Sequence, residues 1–317
     1  MKDTTIRCAI VQTWSIAGGV EKDRYMIRIV GEACVVQWEL SRELGGEGRN
    51  DMKITVLCND KALKGFESEH GISFYIESSK KKYLFDTGST DVAVKNAAKL
   101  GIDLSEVEMI IISHGHYDHL GGLESVLRES GGKRVLIGEG GFEPKYSGKV
   151  ESSPKINRAE FEELGASVEN VCSSKEIEKD LYVMTAAPFA TDERPEEKHN
   201  KVDGRKQTRD FFGDELSLAL VESGIVTVIT GCSHRGIGNI IKQASEYGEV
   251  KAVVGGLHLL HKTKEELDGI FNYLEGFKIE KFHIGHCTGD EVIKAIERRF
   301  SAKVCELRAG ETFESLI

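Results

Sequence analysis

The chain has 317 residues, of which 40% are hydrophobic and 30% are charged, and its formal net charge at pH 7 is -10. This length allows one large domain or two, while the negative charge disfavours a broad nucleic-acid surface and no apolar run is long enough to span a membrane. The seven cysteines have no paired spacing, which is typical of reduced thiols and predicts a cytoplasmic protein.

The first 51 residues differ in composition from the rest of the chain. They end in a Gly-rich, charged stretch over residues 44–51 that is typical of a linker. Two interpretations are open: an added helical appendage built on residues 25–44, or a misassigned start with Met52 as the true first residue. We favour the second, and divide the chain into an extension, residues 1–51, and a catalytic domain, residues 52–317.

From Met52 onward, strand-like and helix-like periodicities alternate. In the first half, the pattern predicts strands at 53–58, 72–77, 82–85 and 107–112, with helices at 91–100 and 123–129. In the second half, it predicts strands at 216–222, 225–230, 250–254, 281–284 and 303–307, with helices at 236–247, 264–275 and 291–300. Two mixed sheets flanked by helices, an αββα sandwich of the α/β class, would bury these elements.

A His-rich loop follows the predicted strand at 107–112. It contains His114, His116, Asp118 and His119 and ends in Gly121-Gly122. A strand end can direct the first two side chains to one metal ion and the last two to another. Imidazoles and a carboxylate without a thiolate quartet suit Zn, Mn or Fe in an open site. Asp118, a hard anionic ligand, favours an ion that carries water or a phosphate oxygen and is our first catalytic candidate.

This His-x-His-x-Asp-His motif, preceded by Phe85-Asp86-Thr87-Gly88, resembles the metallo-β-lactamase superfamily. Further segments resemble one subfamily of it, that of the dihydropterin-aminobenzene ribosyl phosphate synthase of methanopterin biosynthesis. These segments are Asn59, Glu69 to Ser73, Gly231-Cys232-Ser233-His234-Arg235-Gly236, Gly255 to Leu259 and His286-Cys287-Thr288-Gly289. The resemblance runs from Met52 to near the C-terminus.

His234 and His286 each follow a predicted strand and are therefore ligand candidates. The resemblance implies that His234 joins His114 and His116, and that His286 joins Asp118 and His119. It also implies that Asp86 orients a metal-bound imidazole through a hydrogen bond.

His258 is a strand-end candidate for substrate contact or acid-base work, against an alternative role in core packing. The other four histidines after Met52 are expected to have no role in the site: His70, His199, His261 and His283.

The number of ions depends on one departure from the wider superfamily. Many two-metal members carry a bridging aspartate where this chain has Cys232. Three alternatives are open: Cys232 ligates as a thiolate, Asp214 reaches into the site, or one ion is tight and the other labile. A buried cysteine is more often a small core residue than a ligand. We therefore expect one or two divalent ions, Zn, Mn, Fe or Mg.

A long polar connection occupies residues 189–213. Such a segment is usually a lid or is disordered. As a lid, it would bring Arg205, Lys206 and Arg209 to substrate phosphates, with Phe211 and Phe212 as anchors or stacking partners. The alternative is a solvated charged loop.

Two enzyme classes fit these features. The resemblance implies condensation of a pterin methyl diphosphate with an aminobenzene ribosyl phosphate, with loss of pyrophosphate. A metal-dependent hydrolase of a small ester or phosphoester would use the same ligands, and a metal-bearing sensor or binding protein is the third alternative. The expected partner is a small phosphorylated molecule, without nucleic acid or membrane, and a homo-oligomer is compatible with the sequence.

Overall fold

The computed structural model describes residues 28–30, 33–35, 52–78, 80–204 and 206–314, with the backbone alone for 28–30, 33–35 and 203. The chain divides into two compact units, Met1–Arg49 and Asn50–Ile317. In the first unit, strands Arg28–Val30 and Ala33–Val35 pair antiparallel. The helix predicted over residues 25–44 is therefore wrong at these positions. The rest of that segment, on which the prediction of a start at Met52 depends, lies outside the described residues.

The first large sheet of the second unit has seven strands and combines parallel with antiparallel pairs. In spatial order its strands are Ser167–Val171, Arg134–Gly138, Met109–Ile111, Lys82–Phe85, Ser73–Glu77, Lys53–Cys58 and Thr312–Glu314.

The second large sheet also has seven strands and is also mixed. In spatial order its strands are Lys175–Glu178, Leu181–Met184, Ser217–Glu222, Ile225–Thr230, Glu249–Gly255, Lys281–Ile284 and Lys303–Glu306.

The two large sheets pack face to face, because their inward side chains form one buried hydrophobic cluster. Phe74 and Ile111 enter it from the first sheet, and Leu218 and Ile229 enter it from the second. The outer face of the first sheet is covered by helices Val92–Leu100, Leu123–Ser130 and Arg158–Glu163. The outer face of the second is covered by helices Ile237–Ala244, Lys264–Glu275 and Asp290–Arg299. The predicted αββα sandwich is confirmed. Among the described helices, none has both the length and the apolar character needed to cross a membrane.

A small four-stranded sheet lies outside this sandwich pattern. Its strands, in spatial order, are Lys206–Arg209, His199–Asp203, Lys145–Ser147 and Val150–Glu151. Part of the long polar connection at residues 189–213 is thus a paired hairpin rather than a disordered loop, and its role as a lid stays a prediction. Its strands are mostly polar and only partly buried, so they lack the apolar alternation that identifies a strand in a sequence.

The large sheets bring strand ends from distant parts of the chain to one edge. Parallel strands end at the same edge of a sheet, and here Lys82–Phe85 pairs in parallel with Met109–Ile111. In the second sheet, Ile225–Thr230, Glu249–Gly255 and Lys281–Ile284 are parallel neighbours. The chain segments that follow these strands carry the candidate site residues.

Gly122, at the end of the His-rich loop, packs directly against the backbone of residues 87–90. A β-carbon at this position would overlap the carbonyl oxygens of Thr87 and Thr90. We expect Gly122→Ala to lower the free energy of unfolding by about 1–3 kcal/mol, as overpacked positions do, measured by chemical denaturation. Gly213→Ala is the matched control, because nothing lies within 4 Å of its added methyl group. Equal stability of the two variants would contradict this packing argument.

Candidate metal centre

The His-rich loop is held from both sides by backbone hydrogen bonds. It leaves strand Met109–Ile111 and continues into the short helix Tyr117–Leu120. The N–H of Gly115 donates to Asp214 at 2.9 Å, and the carbonyl of His119 accepts from the N–H of Thr87 at 2.8 Å. These bonds fix the loop, so its side chains converge on a single region.

The first group of potential ligands is a histidine triad, His114, His116 and His234. One ring nitrogen from each lies within 4.8 Å of the others, and all three residues are buried. Nδ1 of His114 is 2.9 Å from the hydroxyl of Ser113. The ring of His234 stacks on Phe212 with centroids 3.8 Å apart. The structure thus brings together the three histidines that the sequence assigns to one ion.

The second group is a mixed group of Asp118, His119, Cys232 and His286. One ligand atom from each lies within 4.8 Å of the others. Nε2 of His119 is 3.1 Å from Sγ of Cys232, and Nε2 of His286 is 3.2 Å from Asp118. Cys232 is therefore placed among the predicted ligands, in agreement with one of the three alternatives for this position.

Each histidine of the mixed group has a carboxylate behind it. Nδ1 of His119 is 2.7 Å from Asp86, whose other oxygen accepts from the N–H of Ser113 at 2.6 Å. Nδ1 of His286 is 2.6 Å from Asp60. Carboxylates in this position fix the orientation of metal-binding imidazoles. Asp86 occupies the supporting position that the resemblance implies, whereas Asp60 was not predicted.

Burial and neighbouring charges set the protonation of both groups. Desolvation by burial holds the pKa of His114, His116 and His234 well below the usual value, so the triad is uncharged and keeps its lone pairs. Burial alone would raise the pKa of Asp118, but His119 and His286 outweigh it and hold that pKa well below its usual range. The mixed group is therefore anionic at Asp118.

These residues fit a divalent metal ion. Among the described residues, no hydrogen-bond partner exists for Nε2 of His116 or for either ring nitrogen of His234, although all are buried. Buried polar atoms are normally paired, because leaving one unpaired is costly. The uncharged imidazoles of the triad, together with the imidazoles, carboxylate and thiol of the mixed group, form a donor set suited to ions such as zinc, manganese or iron.

Asp214 belongs to neither group, and its prediction as a ligand is wrong. One oxygen accepts from Nζ of Lys145 at 3.0 Å and the other from the N–H of Gly115 at 2.9 Å. Lys145 also binds Asp210 at 2.7 Å, and all three side chains are buried. Both oxygens of Asp214 are thus used to tie the small sheet to the His-rich loop.

The three basic residues proposed for substrate phosphates differ in position. Arg205 lies outside the described residues, and Lys206 is exposed on the small sheet. Arg209 donates to the carbonyl of Pro195 at 2.9 Å, and its guanidinium lies over the ring of Phe211. Arg209 is engaged locally, so its role at a phosphate is not favoured, and for Lys206 that role stays a prediction. Phe212 is buried against His234 and anchors the hairpin.

Several histidines outside the two groups also approach the centre. The ring of His258 lies 4.1 Å from that of His234, beside the triad as a strand-end candidate should. The ring centroid of His199 lies 5.1 Å from that of His234, and Nε2 of His70 lies 3.5 Å from a carboxylate oxygen of Asp118. The expectation that His70 and His199 lie away from the site is wrong. His283 instead stacks on Phe313.

Comparisons with known proteins identify one superfamily. The sequence model of the Metallo-beta-lactamase superfamily matches residues 70–232. An uncharacterised protein of Methanocaldococcus jannaschii, MJ0448, is 32% identical over 77% of this chain and 94% of its own length. The 7,8-dihydropterin-6-methyl-4-(beta-D-ribofuranosyl)-aminobenzene-5'-phosphate synthase of the same organism is 29% identical over 83% of this chain and 96% of its own length.

A solved structure gives the same result for the fold. Tm1679, a metal-dependent hydrolase of the beta-lactamase superfamily, superposes with a TM-score of 0.74 at 35% identity. The match covers 83% of this chain and 98% of that protein.

Asp86→Asn tests the support behind His119. Asparagine keeps the size of the side chain and an acceptor for Ser113, but removes the charge that orients the imidazole. We expect metal affinity to fall about 10–100-fold, measured by competition with a chromophoric chelator. Asp290→Asn, which alters an exposed carboxylate paired with Lys61, should leave affinity unchanged. A wild-type affinity in Asp86→Asn would refute the supporting role.

Proposed function

The chain belongs to the metallo-β-lactamase superfamily, and on that premise we propose that it is a divalent-metal-dependent enzyme acting on a small phosphorylated substrate. The observation that carries the proposal is that the triad and the mixed group are adjacent. The ring centroid of His114, in the triad, lies 4.2 Å from that of His119, in the mixed group. Ions held by two adjacent groups would be able to act on one substrate group. The cysteine pattern supports a cytoplasmic location for this activity.

The finer proposal follows the methanopterin-pathway relative. We propose that the chain joins a pterin methyl diphosphate to an aminobenzene ribosyl phosphate and releases pyrophosphate. The 29% identity to that synthase extends over 83% of the chain, which supports a related substrate class. The second candidate is hydrolysis of a small ester or phosphoester, supported by the 35% identity to Tm1679, a metal-dependent hydrolase.

When bound, divalent ions supply Lewis acidity, which polarises a phosphoryl oxygen and stabilises a departing phosphate group. The protein positions the reacting groups around that chemistry. Asp118 projects its carboxylate towards both His119 and His286, at 3.4 and 3.2 Å, and is the proposed acidic ligand that faces the substrate. His258 lies beside the triad and is proposed to contact the substrate.

A cavity of about 1170 Å³ lies on the far side of Glu196 from His258 and is the proposed site for the body of the substrate. Glu196 lines it and lies 3.8 Å from Nε2 of His258. Phe189 and Tyr273 supply aromatic surface in the same cavity. The volume exceeds the roughly 300–1,000 Å³ of typical small-molecule sites, so it leaves room for a large substrate. A flat, ring-containing substrate would thus reach the ligand groups past Glu196 and His258.

The choice between synthase and hydrolase depends on which nucleophile attacks. In a synthase, pyrophosphate appears only when the arene is present, whereas in a hydrolase water replaces the arene. We therefore expect purified, metal-loaded protein to release pyrophosphate from the pterin diphosphate only with the aminobenzene ribosyl phosphate added, and to leave a generic phosphodiester intact. Pyrophosphate release without the arene, or phosphodiester turnover, would favour the hydrolase and reject the synthase.

His116→Ala tests whether the triad is needed at all. The variant loses one of three imidazoles in a buried cluster, so we expect loss of the metal bound there and of turnover, measured by elemental analysis and the pyrophosphate assay. His283→Ala, which removes a histidine that stacks on Phe313 outside both groups and outside the cavity, is the control and should retain both. Full turnover by metal-free protein would end the proposal of a metal-dependent enzyme.

A further inference from the structure

His199 enters the centre from an unexpected element. It begins strand His199–Asp203 of the small sheet, where its backbone pairs with Ser147. The residue is 4% exposed, and its ring lies 5.5 Å from that of His116 and 5.1 Å from that of His234. Neither ring nitrogen has a hydrogen-bond partner among the described residues. A buried imidazole without partners needs a ligand to satisfy it.

His258 and His234 share this property with His199. One ring nitrogen from each of the three lies within 4.8 Å of the others. All six of their ring nitrogens lack a hydrogen-bond partner among the described residues. Three converging imidazoles with free lone pairs are the donor set of a metal site. We call His199, His234 and His258 the outer cluster.

The surroundings of the outer cluster favour a cation over an anion. Carboxylate oxygens of Glu196 lie 3.9 Å from Nε2 of His199 and 3.8 Å from Nε2 of His258. Lys198 contacts the same carboxylate at 2.6 Å from its more exposed side and holds it in place. A carboxylate beside imidazoles supports a bound cation, whereas it would repel a phosphate oxygen.

His234 is the histidine that the outer cluster shares with the triad. Metal-binding histidines normally donate their second ring N–H to a carboxylate, carbonyl or water. Asp86 and Asp60 accept in this way from His119 and His286, but no such acceptor meets His234 among the described residues. Neither ring nitrogen of His234 is therefore held by another described protein group, and the ring stacks on Phe212.

We propose that His199, His258 and the second nitrogen of His234 bind a further divalent cation, distinct from ions at the triad and the mixed group. His234 then bridges two ions as an imidazolate, after its remaining ring N–H loses its proton to solvent, and Glu196 supplies the nearby negative charge. The site lies between the triad and the cavity that Glu196 lines. Its occupancy is independent of which reaction the protein performs.

Elemental analysis tests this site without any substrate. Metal-free protein is loaded with Zn²⁺, freed of excess ion and analysed for zinc per chain. We expect His199→Gln and His258→Gln each to bind one ion fewer than the wild type, while His261→Gln, at an exposed position, binds the wild-type number. Circular dichroism of each variant checks that it is folded. Unchanged zinc in both cluster variants overturns the proposal, and so does loss of every ion in a folded His199→Gln protein.

The variant Glu196→Gln tests whether the outer cluster binds a cation or an anion. Removing the negative charge should lower the affinity for the most weakly bound zinc ion about 10–100-fold, as loss of a supporting carboxylate does. If the cluster instead holds an oxyanion, the variant should bind inorganic phosphate more tightly than the wild type and its zinc affinity should not change, which overturns the proposal. Neither readout involves turnover, so an absent synthase activity leaves this result intact.

Discussion

The centre depends on keeping a set of imidazoles buried, oriented and incompletely hydrogen-bonded. Ser113, Asp86 and Asp60 each occupy one nitrogen of a different histidine, and the opposite nitrogens face the ligand groups. A buried polar atom without a partner costs about 1–3 kcal/mol, so the unpaired nitrogens destabilise the ion-free protein. Binding an ion removes this cost, which couples metal occupancy to stability.

The backbone is also strained at four residues of the turns that follow the strands. Asp86, Ser233, His258 and His286 have φ of 59°, 63°, 53° and 51°, in the left-handed region that non-glycine residues seldom adopt. Each such residue costs on the order of 1–3 kcal/mol and persists only where its surroundings over-determine it. Here the surroundings are the two packed sheets, whose strand ends turn sharply to direct side chains inward. Rigid sheets and strained turns together give the site its geometry.

Most of the sandwich and the ligand candidates could be predicted from local signals, whereas the assignment of His234 and His286 to the two ligand groups followed from the family resemblance. Apolar strands ending in Gly and His identify Asp118, His234 and His286 directly. The role of His199 could not be predicted, because it depends on pairing a polar hairpin with Lys145–Ser147, a contact without any apolar pattern. The support of His286 by Asp60 joins residues 226 positions apart. Strand Arg134–Gly138 was missed because a short apolar run does not distinguish strand from helix.

The environment of Cys232 bears on the choice of metal. Asp214 cannot bridge the two ligand groups, since Lys145 and Gly115 hold both its oxygens. Sγ of Cys232 instead lies within the mixed group, 3.1 Å from Nε2 of His119. Sulfur is a soft donor that suits zinc or iron, whereas magnesium prefers oxygen and water. If Cys232 ligates, the mixed group should therefore discriminate against magnesium, while the all-imidazole triad imposes no such sulfur preference.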